Sequence, residues 1–244
     1  MEQAASQQAP LAGRKALVVG RGEIAAGIAA RLAQAGARVL APETTDSGFS
    51  DAPARVAAGL AELGGLDILV LDPLPPPVVT PLGETDDGAF AASLDRVTAT
   101  AAAMRTALPA LRESGFGRIV VIGTRYGEQI AEAIAPYNAA AWALAGLVRS
   151  AALDWGRYAI STNLLLPVTA TDEYRRARAA RPEAIDAMVR QLPLGRMGDP
   201  VQDIGGAALF LSGNAARFVS GQTIFADGGQ HLAGSVLDPV KLGA

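Results

Sequence analysis

Short apolar runs alternate with alanine-rich stretches of helical period along almost the whole chain. "KALVVG" (15–20), "ARVLAP" (37–42), "LDILVLD" (66–72), "GRIVVIGT" (117–124), "ISTNLLLP" (160–167) and "GQTIFADGG" (221–229) read as strands. Near-continuous apolar runs of this kind belong to strands covered on both faces. Between them the pattern predicts helices over 23–36, 52–65, 84–114, 136–156 and 199–213. Gly36 stands where a helix C-cap is expected, and Asp199-Pro200 supplies an N-cap followed by a first-turn proline. Residues 170–193, rich in Arg and Ala, read as an irregular helical excursion, and "PLPPPVVTP" (73–81) as a rigid loop poor in donors. Strands alternating with helices predict an α/β fold on a doubly wound parallel sheet. No internal repeat or linker interrupts it, so the expectation is a flexible tail over 1–12 and a single domain over 13–244.

Composition narrows the function. Half of the residues are hydrophobic and 18% are charged, the balance of a globular chain. A net charge of −3 with no basic stripe argues against nucleic acid. With no cysteine, disulfides, thiolate zinc sites and iron–sulfur clusters are excluded. The only histidine, His231, is a poor start for a metal site and reads as a packing or surface residue. No run reaches the roughly 18 apolar residues of a membrane span. "MEQAASQQAP" lacks the charged and apolar regions of a signal peptide, so a cytoplasmic location follows by default.

"PLGRMGDPVQDIGGAALFLSGNAARFVSGQTIFADGG" closely resembles the last helix and strand of the short-chain dehydrogenase/reductase family. "ARLAQAGARV" resembles the end of that family's first helix and its second strand. Thr124 and Tyr137, separated by twelve residues, resemble its Ser-x12-Tyr arrangement. The resemblance spans roughly 13–230 and implies a Rossmann-like sheet, shortened after the second strand because "ETTDSGFSDAP" (43–53) leads straight into the next helix. One wall of the adenine pocket would go with the missing strand and helix.

The family's tyrosine exchanges a proton with the substrate oxygen, and a lysine four residues on lowers its pKa. A free phenol titrates near pH 10, and residues i and i+4 share a helix face, so that spacing delivers the charge. Here the lysine position is Ala141, and the chain's two lysines, Lys15 and Lys241, stand elsewhere. Thr124 keeps the hydroxyl of the serine position. The family's helix asparagine falls on Arg96 or Asp95. Of the glycine loop, "VVGRGEIAAG" keeps Gly20 and Gly22, but Glu23 puts a carboxylate at the helix N-terminus, where it would repel a diphosphate. Glu43 reads as solvated turn charge. The family's Asn-Asn-Ala-Gly appears as Leu71-Asp72-Pro73-Leu74, and its Pro-Gly as Pro167-Val168.

These departures share the ligand-binding side of the sheet and imply a degenerate member that binds no nicotinamide cofactor itself. Such a chain would be the non-catalytic or structural partner of an active NAD-dependent alcohol dehydrogenase, with NAD held by that subunit. The expected assembly is a hetero- or homo-oligomer, dimer or tetramer, packed through helices 84–114 and 136–156, whose small residues let helices approach closely. A two-subunit alcohol dehydrogenase of anaerobic toluene degradation, acting on a benzylsuccinyl-type thioester, is one assembly of this kind. An alternative is a cofactor-independent enzyme resembling halohydrin dehalogenases, in which Arg125 or Arg96 would have to reach Tyr137. The third reading is an atypical NAD(P)-dependent oxidoreductase.

Overall fold

A computed structural model describes residues 9–42, 49–127 and 130–233. Six strands form one parallel sheet: β1 (Lys15–Val19), β2 (Arg38–Leu40), β3 (Ile68–Leu71), β4 (Arg118–Ile122), β5 (Ser161–Pro167) and β6 (Thr223–Ala226), in the order β2-β1-β3-β4-β5-β6. The helices between them are α1 (Gly22–Gln34), α2 (Ala52–Leu63), α3 (Asp87–Ser114), α4 (Ala135–Trp155), α5 (Asp172–Ala180), α6 (Pro182–Val189) and α7 (Gly205–Ser212), and α8 (Gln230–Ala233) follows β6.

Successive residues of each strand feed opposite faces. Leu17, Val19, Leu69, Leu71, Val121 and Leu164 pack with Val56, Met104, Leu111 and Leu144 of α2, α3 and α4. Ala16, Val18, Val70, Val120 and Leu165 pack with Ile28, Leu32, Ala208 and Leu211 of α1 and α7. Two-sided burial is the reason these strands read as unbroken apolar runs. The doubly wound, Rossmann-like sheet is therefore present, and β2 is its edge, as the short connection after the second strand implies.

The expected excursion over 170–193 resolves into α5 and α6, and Asp199 caps the next turn by accepting from Val201 N at 2.8 Å and Gln202 N at 2.7 Å. That turn, Pro200–Ile204, is wide (π-type) and runs directly into α7. The loose tail expected over 1–12 is ordered in its last residues: Leu11 is fully buried and its N–H donates to Ala35 O at 2.9 Å. Its long apolar side chain seals the sheet beside α1; residues 1–8 lie outside the described residues. No helix among the described residues is long and apolar enough to cross a membrane.

Candidate active site

The chain winds outward from β1 to β2, then returns to place β3 on the other side of β1. Strand ends diverge at such a switch point, and ligands of open α/β sheets bind in the resulting crevice. Gly20 leaves β1 here and Asp72 leaves β3, with the Asp72 N–H donating to Val19 O at 2.9 Å. A Cβ on Gly20 would lie 2.6 Å from the Asp72 Cβ, so only glycine lets the two strand ends approach this closely. Gly22 then opens α1 at φ +73, and Arg21, extended at the N-cap, supplies no side-chain cap. The first-turn amides of a thirteen-residue helix are thus left for another acceptor, with a guanidinium beside them.

Glu23 does not act as the sequence suggests. Its carboxylate is bonded to the Arg175 guanidinium and to the Asp172 backbone N–H, both at the start of α5. Arg175 also holds Asp172 Oδ1 at 2.6 Å and Ala170 O at 3.0 Å, so one guanidinium is shared by two carboxylates and offsets part of the acidic charge at the α1–α5 junction. Arg21 is the cation that lines the groove, alongside the carboxylates of Asp72, Asp172 and Glu173. Two compartments meet at Arg21 and Gly22: one of about 380 Å³ bounded by Asp72, Thr124, Tyr137 and Thr171, and one of about 300 Å³ bounded by Val18, Ala26, Ala41 and Pro42. A long anionic ligand bent at a diphosphate fits this donor set: a cation, an uncapped helix end and a glycine of positive φ between two cavities. Glu43 lies outside the described residues.

The reacting pair is assembled. Thr124, just beyond β4, and Tyr137, at the start of α4, line the groove together, with the Thr124 hydroxyl near enough to act on the phenol. Burial pushes that phenol up to about 12; Thr124 opposes the rise, while Asp72, Tyr126 and Glu173 add to it. Among the described residues, no cation is one of the groups acting on it. Arg125 lies over the Tyr126 ring at 4.7 Å and donates to its hydroxyl at 3.2 Å, and Arg96 donates to Pro73 O at 2.9 Å. The cation that the dehalogenase-like reading requires is therefore not delivered by either arginine. Ala141, the lysine position, is buried at 3% exposure. Lys15 is bonded to Gly64 O at 2.7 Å, at the opposite end of β1 from the groove.

The structure brings Gly20, Gly22, Thr124 and Tyr137 together around one groove. It also resolves the helix position in favour of Arg96, which is half-buried beside Tyr137, whereas Asp95 is exposed. Sequence reasoning missed Arg21, inside the very "GRG" it quoted, and Arg175. It also missed Tyr126, whose ring meets Tyr137 edge-on at 6.3 Å. His231 is a packing residue, stacked on Phe225 at 4.0 Å with Nδ1 2.8 Å from Asp227 Oδ2. The described residues hold no cluster of three or more potential metal ligands.

Comparison with known proteins agrees with this geometry. Residues 47–231 match the family model adh_short_C2, described as enoyl-(acyl carrier protein) reductase. The 2,3-dihydroxy-2,3-dihydro-p-cumate dehydrogenase of Pseudomonas putida strain F1 is 30% identical over 91% of this chain and 96% of its own length. Gluconate 5-dehydrogenase of Gluconobacter oxydans is 38% identical, but over only 47% of this chain and 44% of that enzyme. Among solved structures, a protein from Beutenbergia cavernae assigned as an NAD(P)-dependent gluconate 5-dehydrogenase, with NADP bound at low occupancy, is 30% identical. It has a TM-score of 0.79 over 91% of this chain and 98% of its own. A dehalogenation enzyme, 27% identical, matches 90% of this chain and 99% of its own with a TM-score of 0.78.

The NADP-bound relative, matched almost end to end, overturns the expectation of a chain without nicotinamide cofactor. That expectation rested on several departures on this face of the sheet, of which the Glu23 carboxylate was one, and the Glu23–Arg175 ion pair answers that one. With sheet order, reacting pair and family model in agreement, the chain belongs to the short-chain dehydrogenase/reductase family.

Proposed function

We propose that this chain is an oxidoreductase subunit that takes a nicotinamide dinucleotide in the Gly20–Asp72 groove and an alcohol or carbonyl at Thr124 and Tyr137. Alone it turns over slowly, and it works beside an intact homologue packed on α3 and α4. The observation that carries this reading is the isolated phenol: Tyr137 lines the groove beside Thr124, with a pKa of about 12 and Ala141 where the activating cation would stand. The outer faces of the two helices support the assembly, since Leu94, Trp142 and Leu153 are exposed on them.

When bound, the nicotinamide would supply or accept hydride. Arg21 and the α1 amides hold the diphosphate, and Glu23, paired with Arg175, opposes it less. Thr124 and Tyr137 bind the substrate oxygen. A phenol this weakly acidic is ionised to only about one part in 10⁵ at neutral pH, so it serves as a hydrogen-bond donor and is a poor base for alcohol oxidation.

Fluorescence titration of the purified chain with NADH and NADPH is expected to give micromolar binding of at least one. Secondary-alcohol oxidation by the chain alone should be slow, and Tyr137→Phe should change it by less than about threefold, against the 10²-fold or more that a working acid–base residue contributes. No binding at millimolar dinucleotide would sink the cofactor assignment. Ordinary turnover by the isolated chain, abolished by Tyr137→Phe, would sink the assisted role. Arg175→Ala should weaken dinucleotide binding by roughly three- to tenfold, more at low salt, because Glu23 then faces the diphosphate unneutralised. Unchanged affinity in that variant would show that Glu23 lies outside the field of the ligand.

A further inference from the structure

Tyr137 borders a second cavity, of about 330 Å³, on the side away from the glycine loop. One wall is the run Pro75-Pro76-Pro77, continued by Leu74 and Val78; the other is the first half of α3, with Ala92 and Arg96. Prolines carry no N–H, so the wall offers ring faces and no donors, a surface for an apolar body. Two polar groups along the rim are already engaged. Thr85 Oγ donates to Pro81 O at 3.0 Å, and Asp86 caps α3 by accepting from Ala89 N at 2.8 Å.

Arg96 differs from them. It is half-buried, spends one N–H on Pro73 O, and forms no ion pair among the described residues. Burial and the neighbouring Arg21 both disfavour its charge. A guanidinium has five donors in a planar fork matched to a carboxylate, and a partly desolvated cation without a counter-ion is the costly arrangement that an incoming anion relieves. Glu84 and Asp86, exposed at the mouth, disfavour a polyanion and leave room for one negative charge at the deep end.

We propose that this cavity is the substrate subsite and takes a monocarboxylate with an apolar body: carboxylate on Arg96, body against Pro75–Pro77, reacting oxygen at Tyr137. The assignment rests on the reading above in that it takes Tyr137 as the substrate-facing group, and it names the substrate class.

The test is calorimetric titration of the full chain with benzoate and benzamide, which share a shape and differ in charge. Benzoate is expected to bind at least about tenfold more tightly, the value of one charge-assisted pair, and Arg96→Met is expected to erase that preference. Ala92→Phe, which fills the cavity from α3, should abolish binding of both probes and also serves if the Arg96 variant fails to fold. Equal binding of the two probes, no binding of either, or a preference that survives Arg96→Met overturns the subsite. NADH titration of the same samples separates the two proposals. Loss of NADH binding with the benzoate preference intact counts against the cofactor assignment alone; normal NADH binding without the preference counts against the subsite alone.

Discussion

Replacing Ala141 by lysine is expected to lower the titration of Tyr137 by about two pH units and to raise alcohol oxidation with NAD(P) roughly a hundredfold. Tyr137 and Ala141 lie one helical turn apart on α4, so an ammonium grown from residue 141 rises along the face that carries the phenol. Burial is the main force holding that phenol at about 12, and Thr124 is the group among the described residues that opposes it. An adjacent positive charge opposes burial directly. Ala141 is itself buried, and threading a lysine stem past its neighbours costs about 1–3 kcal/mol, a loss seen as a lower melting temperature. Ala141→Met separates size from charge: it should destabilise similarly and leave Tyr137 where it is. The readout is tyrosinate absorbance against pH, with Tyr137→Phe subtracted. A folded lysine variant whose Tyr137 titration does not move would remove the missing cation as the reason for slow chemistry.

The parts of this molecule that one segment specifies by itself were legible in its sequence. Strand runs buried on both faces, the Asp199 cap and the shortened connection before α2 each depend on neighbouring residues, and each appears in the fold. Thr124 and Tyr137 were legible for the same reason: one ends a strand, the other starts a helix, and a fixed gap joins them. What failed was charge. Glu23 was judged by its place at a helix N-terminus, but its state is set by Arg175, 152 residues away, on a segment that read only as irregular helix. It was one of several departures behind the expectation of a chain without nicotinamide, which the NADP-bound relative overturned. Arg96 could be placed only to within one residue from sequence, because an aligned position does not say which of two adjacent helix residues faces inward. Its cavity depends on the proline run folding back over α3, and that path is not encoded in any one segment.

The largest stability effect is expected at Asp72, which stands in the family's second asparagine position. Burial lifts its carboxyl to about 7, only partly opposed by Arg21. The unfolded chain ionises this group near 3.8, and each pKa unit is worth about 1.4 kcal/mol, so the ionised form destabilises the fold by about 4 kcal/mol. The sign follows from the raised value: the penalty is absent below pH 3.8, grows as pH rises through the window up to about 7, and is complete above it. Asp72→Asn removes the titration while keeping shape and hydrogen-bonding capacity. It should therefore raise the melting temperature at pH 8 by roughly 10 °C, with the gain shrinking towards nothing below pH 4. The same carboxylate borders the diphosphate path, so dinucleotide affinity of the parent chain should fall between pH 6 and pH 8, and that of Asp72→Asn should stay level. Melting curves and NADH titrations across this range decide the matter together. A variant no more stable than the parent at pH 8 would mean that water or Arg21 already compensates the charge. If stability rose but affinity kept its pH dependence, the titrating group that opposes the cofactor would not be Asp72.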